Sequence, residues 1–174
     1  MKSIHITLRS LQKTDKQQFA KLLNNKHILN NLRDHIPYPY TENDALYFFD
    51  YVANNDAEKV FAVTYKNELC GVVSLVLQKD VHRHTAEIGY WLGKPFWGKG
   101  IATQVVSMMT NYGFDELHLK RVYAIVFENN KASMRVLEKN GYQKEGVLVK
   151  AILKNGKLLD EYRFYKLNEN WISY

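Results

Sequence analysis

A strand, a turn and a helix are predicted by residues 88–103, which read IGYWLGKPFWGKGIAT. The first five of these residues end an apolar run typical of a buried strand. Gly98 and Gly100 then mark a turn, and from Ile101 onward apolar residues recur at helical spacing. Because glycines at a helix N-terminus let backbone amides approach an anion, and the helix dipole favours negative charge there, the turn is a candidate diphosphate site with Lys99 beside it.

This turn by itself leaves two interpretations open. A pair of glycines is more often only a turn, and the spacing matches neither the G-x-x-x-x-G-K-S/T phosphate loop nor the G-x-G-x-x-G dinucleotide fingerprint. A second candidate lies at residues 129–133, where a predicted strand meets the next helix. There Asn130 fits a helix cap as well as a ligand contact.

On both sides of this stretch the sequence changes repeatedly between strand and helix patterns. Strands are predicted at residues 4–11, 60–65, 69–77, 85–92, 122–127, 146–153 and 157–167. Helices are predicted at residues 14–23, after a cap at residues 41–44, at residues 101–114 and at residues 131–140. The order predicts an α+β fold in one domain spanning residues 1–174, with antiparallel meanders and a single strand–helix–strand crossover.

Several local signals fix the ends of these elements. Thr14 and Gln17 have the spacing of a capping box, and Gly141 has the position of a helix C-terminal glycine. Residues 35–40 contain two prolines and are predicted to be an extended loop. The pair Asn155-Gly156 predicts a hairpin turn between the last two strands.

Composition excludes several classes of protein. The 174 residues are 46% hydrophobic and contain no apolar run long enough to span a membrane, and the first residues lack the apolar region of a signal peptide, so we expect a cytoplasmic protein without membrane partners. The single cysteine, Cys70, excludes an intramolecular disulfide and a multi-cysteine metal site, and it fits a packed thiol. His82 and His84 lack a third ligand at suitable spacing, so no metal is expected.

The net charge of +6 favours anionic ligands without identifying one. Because basic and acidic residues are interleaved, no stripe for direct nucleic-acid binding is evident. A ribosome-associated or RNA-binding protein stays open as an alternative, and it predicts an RNA affinity that depends steeply on salt.

Four segments in this order resemble the GNAT superfamily of acetyl-CoA-dependent N-acetyltransferases. They are residues 88–92, residues 97–103, the pair Asn130 and Ser133, and residues 137–142. Residues 36–41 are similar to the RimJ/RimL-like branch of that superfamily. The resemblance implies a mixed, mostly antiparallel central sheet of about seven strands with a splayed central strand pair, flanked by about four helices.

The resemblance also implies the cosubstrate site, with acetyl-CoA bound across the turn and the adjacent strand. Its pyrophosphate would lie on the amides of residues 98–103, its pantetheine arm would pair with the end of the strand at residues 87–92, and Asn130 would contact that arm. The implied cosubstrate residues are Tyr90, Trp91, Leu92, Trp97, Gly98, Lys99, Gly100, Ile101, Ala102, Thr103, Asn130 and Ser133. Pro95 stands where many members have Gln or Arg in this loop, as the RimJ/RimL-like branch often shows.

Two residues are candidates for the chemistry of acetyl transfer. The amine must lose a proton, and Glu87, just before residues 88–90 on the central strand, is the candidate base; an ordinary solvated strand residue is the alternative. The resemblance places Ser133 near the CoA sulfur. Many members carry a tyrosine acid where this chain has Leu137, so protonation of the leaving thiolate falls to Ser133 or to water.

The sequence does not determine which amine accepts the acetyl group. Candidate acceptor residues are Arg33, His35, Tyr38 and Tyr40, together with the hairpin at residues 147–157. The acceptor that we expect first is a peptide or protein N-terminal amine, as in ribosomal proteins. A polyamine would require more carboxylates than Asp34 and Glu42 provide. Amino acids and antibiotics are alternative acceptors. A non-catalytic acyl-CoA-binding module is the alternative to an enzyme. Homodimers are common in this superfamily, so a homodimer is an alternative to a monomer.

Overall fold

A computed structural model describes residues 5–170 as a single mixed sheet flanked by helices. The strands are β1 Ile6–Arg9, β2 Glu58–Tyr65, β3 Glu68–Leu77, β4 Thr85–Leu92, β5 Arg121–Phe127, β6 Gln143–Lys154 and β7 Lys157–Leu167. The helices are α1 Lys16–Leu23, α2 Lys26–Leu29, α3 Glu42–Ala53, α4 Ile101–Asp115 and α5 Lys131–Lys139. The strand order is β1-β2-β3-β4-β5-β7-β6, and among these strands of residues 5–170 only β4 and β5 run parallel.

The predicted elements are present, with differences at their ends. Strand β1 covers the middle of the predicted residues 4–11, and Ile4 lies outside the described residues. The predicted capping box of Thr14 and Gln17 is wrong: the backbone and side chains of Gln12 and Asp15 form the box, which opens a short 3₁₀ turn before α1. The one-turn helix α2 was not predicted, because four residues are too few for a helical period to be recognised.

The central strands β4 and β5 separate after a short paired stretch. They pair at Thr85 with Arg121, Ala86 with Val122 and Glu87 with Tyr123, and no pairing follows. Beyond that point β4 stays paired with β3 and β5 stays paired with β7. The expected splayed strand pair is therefore confirmed, and it leaves a gap between residues 88–92 and 124–127.

Two apolar cores cover the two faces of the sheet. On one face, α4 buries Val105, Val106 and Met109 against the sheet. On the other, α1 and α3 bury Phe19 and Phe49 against β2 and β3. Burying side chains of this size stabilises the fold by about 1.5–3 kcal/mol each, so the helical layers stabilise the sheet from both faces.

Polar groups within the cores are satisfied by neighbours. The Sγ atom of Cys70 lies 3.3 Å from the Val63 carbonyl oxygen, and burial raises the pKa of Cys70 to about 12, so the thiol stays protonated. The Thr110 hydroxyl is 2.7 Å from the Tyr142 hydroxyl. Across residues 5–170, no helix is long and apolar enough to cross a membrane.

Candidate active site

A cleft of about 660 Å³ begins at the splayed ends of β4 and β5. Its walls are the end of β4, the first turn of α4, one face of α5 along its whole length, and the short helix α2. The lining residues are His27, Ile28, Asn31, Leu32, Tyr90, Trp91, Leu92, Phe96, Trp97, Gly98, Gly100, Ile101, Ala102, Thr103, Asn129, Asn130, Lys131, Ala132, Ser133, Arg135, Val136 and Lys139. Every sequence-predicted cosubstrate residue except Lys99 is in this set.

The glycine turn gives α4 an open N-terminus at the cleft. Gly98 and Gly100 have φ angles of 73° and 75°, which residues other than glycine rarely adopt. After this turn the chain enters the first turn of α4, whose backbone amides have no carbonyl partner within the helix. Since Ile101, Ala102 and Thr103 line the cleft, these amides form a ready site for an anion.

The side chain of Lys99 lies outside the cleft. Its Nζ atom is 5.6 Å from the ring centre of Phe96 and 5.9 Å from that of Tyr65. The Lys99 side chain is therefore not among the groups that line the cleft, and its role in cosubstrate binding stays a prediction. The basic residues that do line the cleft are His27, Lys131, Arg135 and Lys139, and among the described lining residues there is no Asp or Glu.

A pair of hydroxyl groups lies where α5 meets β4. The Tyr90 hydroxyl is 2.8 Å from Ser133 Oγ and 3.3 Å from the Ser133 carbonyl oxygen. Burial raises the pKa of Tyr90 to about 12, against the effect of its bond to Ser133, so its proton is retained at neutral pH. Asn130 caps α5 by accepting a hydrogen bond from the Ser133 amide at 3.1 Å. The link from Tyr90 to Ser133 was missed in the sequence, where Tyr90 was assigned only a cosubstrate contact.

Glu87 occupies the last position at which β4 pairs with β5, on the face opposite Tyr90. Successive side chains of a strand point to opposite faces, and Glu87 and Tyr90 are three residues apart. The Glu87 side chain is 19% exposed, and its Oε1 accepts a hydrogen bond from Arg33 at 2.8 Å. Glu87 does not line the cleft; it lies on the other face of β4 from the hydroxyl pair, at the point where the gap in the sheet begins.

A second carboxylate, Glu58, lies in the same row of the sheet. The register aligns Glu58 with Val76 and Val76 with Glu87, so the two carboxylates share a face. Burial raises the pKa of Glu58, the charge of Glu87 adds to the rise, and the charges of Arg33 and His35 oppose it. No sequence motif marked Glu58; only the alternation of β2, combined with the observed register, places it there.

The segment that precedes α3 carries the predicted acceptor residues, and the structure separates their roles. Arg33 and His35 lie near the carboxylates, and Tyr38 is 58% exposed with Lys26 Nζ 5.6 Å from its ring centre. Tyr40 is only 7% exposed and packs against Phe19 with ring centres 5.8 Å apart. The assignment of Tyr40 to the acceptor surface is therefore corrected: its side chain belongs to the core.

The hairpin of β6 and β7 is tied to this same segment. Lys154 is buried and donates hydrogen bonds to the Leu32 carbonyl at 2.7 Å and to Asp34. Beside it, Asn155 Nδ2 is 3.0 Å from Asn30 Oδ1. The two regions predicted to surround the acceptor are therefore in contact.

No cluster of three or more His, Cys, Asp or Glu side chains suited to a metal ion occurs within residues 5–170. His82 ends a short 3₁₀ turn of residues 80–82, and His84 precedes β4. The predicted strand alternation of these two histidines is thus absent.

Comparison with known proteins identifies the family. The acetyltransferase (GNAT) domain family matches residues 5–143. The chain belongs to the GNAT family. A curated relative, an uncharacterized N-acetyltransferase YnaD of Bacillus subtilis, is 35% identical over 132 residues, which are 76% of this chain and 77% of the relative.

Solved structures support the same membership in GNAT. Spermidine N-acetyltransferase from Vibrio cholerae, in complex with CoA and spermine, superposes with a TM-score of 0.80 at 27% identity, over 93% of this chain and 95% of that one. Ribosomal-protein-S5-alanine acetyltransferase from Vibrio fischeri superposes with a TM-score of 0.82 at 25% identity, over 99% and 98%. The sequence-based assignments to this superfamily and to an enzyme are therefore confirmed.

Proposed function

We propose that this GNAT enzyme transfers the acetyl group of acetyl-CoA to a primary amine by direct attack in a ternary complex. The gap between β4 and β5 carries this proposal, because it connects two sides of the sheet that present different functional groups. One side has the open α4 N-terminus, the basic cleft and the hydroxyl pair. The other has the carboxylates Glu87 and Glu58.

The cleft side would hold the thioester. Amides at the α4 N-terminus bind the diphosphate, and the pantetheine arm follows residues 88–92 toward Ser133. Because β5 does not pair with these residues, backbone groups on that edge of β4 are available to the arm and to the thioester carbonyl oxygen. Hydrogen bonds from such groups stabilise the oxyanion of the tetrahedral intermediate.

The other side would supply the base. Glu87 takes a proton from the acceptor ammonium, directly or through water, and the neutral amine forms a bond to the thioester carbon. The carbon–sulfur bond then breaks, the attacking nitrogen loses its second proton to water, and the thiolate takes up a proton through the Ser133 hydroxyl, which Tyr90 holds in place and which regains its own proton from water. A thiol with an ordinary pKa of about 8.5 leaves readily, so this proton should contribute less than the base does.

Arg33 must move for the amine to reach Glu87. Its side chain is 64% exposed, and an exposed ion pair contributes about 0–1 kcal/mol. An incoming ammonium group can therefore replace the guanidinium at modest cost. After displacement, Arg33 is free to bind a carbonyl or carboxylate of the acceptor.

For the acceptor we favour a peptide or protein N-terminal amine. Arg33 and His35 beside Glu58 and Glu87 make a site of mixed charge, which suits an amine flanked by peptide carbonyls. The structural similarity to a ribosomal-protein-S5-alanine acetyltransferase supports this class. An acidic residue near the acceptor N-terminus would strengthen binding through Arg33.

A polyamine is the second candidate, and the carboxylate pair favours it. The sequence pointed to Asp34 and Glu42, but Asp34 is bonded to Lys154, and Glu42 lies 3.2 Å from Lys16. Glu58 and Glu87 instead provide two carboxylates on one face. The similar spermidine N-acetyltransferase, solved with CoA and spermine, supports this class.

Thiol release from acetyl-CoA, measured with an alanine-initiated peptide and with spermidine, tests both candidates. Arg33→Ala separates them: it should raise KM for the peptide, because a contact is lost, and lower KM for spermidine, because a competing cation is removed. Binding of acetyl-CoA without turnover of any amine would support a non-catalytic acyl-CoA-binding module instead.

We also propose that residues 1–174 act as one catalytic domain in the cytoplasm. One sheet joins all seven strands, and Trp91 packs against both cores. The single, buried Cys70 is compatible with a reducing compartment. Sedimentation of the purified chain would distinguish a monomer from the homodimer considered above.

A further inference from the structure

One face of α5 brings two basic side chains to the cleft. Ala132, Arg135, Val136 and Lys139 line it at the spacing of a single helical face. Arg135 and Lys139 are exposed, and neither takes part in an ion pair within residues 5–170. Lys131 differs, since its Nζ atom lies 5.0 Å from the ring centre of Tyr162.

The orientation of α5 decides which part of a bound cosubstrate these side chains meet. At the start of the helix, Ser133 contacts Tyr90 beside the gap in the sheet. At its end, Asn140 Nδ2 donates to the Thr103 carbonyl oxygen at 3.1 Å, which fixes this end beside the first turn of α4. Seven residues of helix span about 10 Å, so Lys139 lies at the phosphate end of the cleft and Ser133 at the reacting end.

CoA carries more negative charge than the α4 N-terminus can bind. Besides its diphosphate it has a 3′-phosphate on the ribose, a monoester with a charge of about −1.5 to −2 at neutral pH. The amides of α4 suit the diphosphate, and the Lys99 side chain lies outside the cleft. Arg135 and Lys139 are then the exposed cations on the adjacent wall, and a guanidinium suits a phosphate because it can donate two parallel hydrogen bonds.

We propose that Arg135 and Lys139 bind the 3′-phosphate of CoA and so make the enzyme select CoA thioesters over their 3′-dephospho forms. This inference rests on the proposed use of acetyl-CoA. It assigns the specificity to the end of α5, apart from the residues that hold the diphosphate and the thioester.

Calorimetric titration with CoA and with 3′-dephospho-CoA tests the assignment. The unmodified protein should bind CoA about tenfold more tightly, as charge-assisted hydrogen bonds to one phosphate warrant. The double variant R135Q/K139Q should lose most of that preference: its affinity for CoA falls about tenfold, while its affinity for 3′-dephospho-CoA changes less than about twofold. The variant K13Q/K21Q, which removes two exposed positive charges near α1, should keep the preference.

The results separate the possible failures. Equal affinity of the unmodified protein for both ligands, or an equal loss for both in R135Q/K139Q, would overturn the 3′-phosphate assignment and leave the proposed function intact. If K13Q/K21Q lost the preference for CoA to a similar extent, general charge attraction would explain the preference, and the 3′-phosphate assignment would also be overturned. If neither ligand binds the unmodified protein, the proposed function fails, and this inference with it.

Discussion

At the scale of single residues, the proposed chemistry is divided between two faces of one strand. Glu87 and Tyr90 belong to β4, yet their side chains point to opposite sides of the sheet. The proposed base and the hydroxyl pair would therefore approach a thioester in the gap from opposite directions. This arrangement suits the proposed direct attack, in which the amine would arrive on one side while the thiolate would leave on the other.

Replacing Glu87 with Gln removes the proposed base and keeps the size of the side chain. We expect kcat to fall by about 10²- to 10⁴-fold, the usual contribution of a well-placed general base. The Kd for acetyl-CoA should change little, since Glu87 does not line the cleft. Steady-state thiol release and calorimetry measure the two quantities.

Glu58→Gln is the matched control for Glu87. It removes a carboxylate from the same row of the sheet, farther from the gap, and should raise KM for the amine more than it lowers kcat. An unchanged kcat in Glu87→Gln, or a larger loss in Glu58→Gln, would transfer the role of base to Glu58 or to water.

The hydroxyl pair gives a prediction about pH. Because the pKa of Tyr90 is raised to about 12, its phenol stays neutral throughout the ordinary assay range and should add no limb to the pH–rate profile below about pH 10.

Tyr90→Phe should lower kcat by about tenfold or less by releasing Ser133, with the profile unchanged in shape. Ser133→Ala should have a similar effect, and the double variant should be no worse than either single one. Full additivity of the two losses would show that the residues act independently.

At the scale of elements, local sequence patterns predicted most strands and helices, whereas features that depend on tertiary contacts were not predicted. The alternation in residues 85–92 and the glycines before α4 predict the strand, the turn and the helix, because these signals are local. The position of Glu58 beside Glu87 depends on strand register, and the exposure of Tyr40 depends on whether Phe19 packs against it. The position of the Lys99 side chain likewise cannot be read from the sequence, because a long side chain can turn to either side of a tight turn.

The turn before α4 provides a controlled test of its role as an anion site. Gly98 and Gly156 both have a φ of 73°, and a Cβ added at either one would meet no atom within 4 Å. Alanine at either position should destabilise the fold by about 1–2 kcal/mol, the cost of a left-handed conformation. Only Gly98→Ala should also weaken acetyl-CoA binding, since Gly98 lines the cleft and Gly156 lies in the hairpin turn. Equal Kd values for acetyl-CoA in the two variants would argue against an anion site at this turn.

At the scale of the whole molecule, both cores and both sides of the candidate active site meet at β4. Trp91 packs against both cores, and its ring lies 5.2 Å from that of Phe19 in an edge-to-face arrangement. The cleft is bounded by α2, α4, α5 and β4 together. A ligand in this cleft therefore contacts elements from both halves of the chain, and its binding should stabilise the fold as a unit.

Thermal unfolding with and without acetyl-CoA measures this coupling. A ligand at 100 times its Kd stabilises the native state by about 2.7 kcal/mol. For a domain of this size, each kcal/mol raises Tm by about 2–4 °C, so we expect a rise of about 5–10 °C. Glu87→Gln should show the same rise, because its defect is chemical, while Gly98→Ala at the same concentration should show less. A Tm that acetyl-CoA does not change would mean that the cleft does not bind the cosubstrate, and the proposed acetyl transfer would then have no donor.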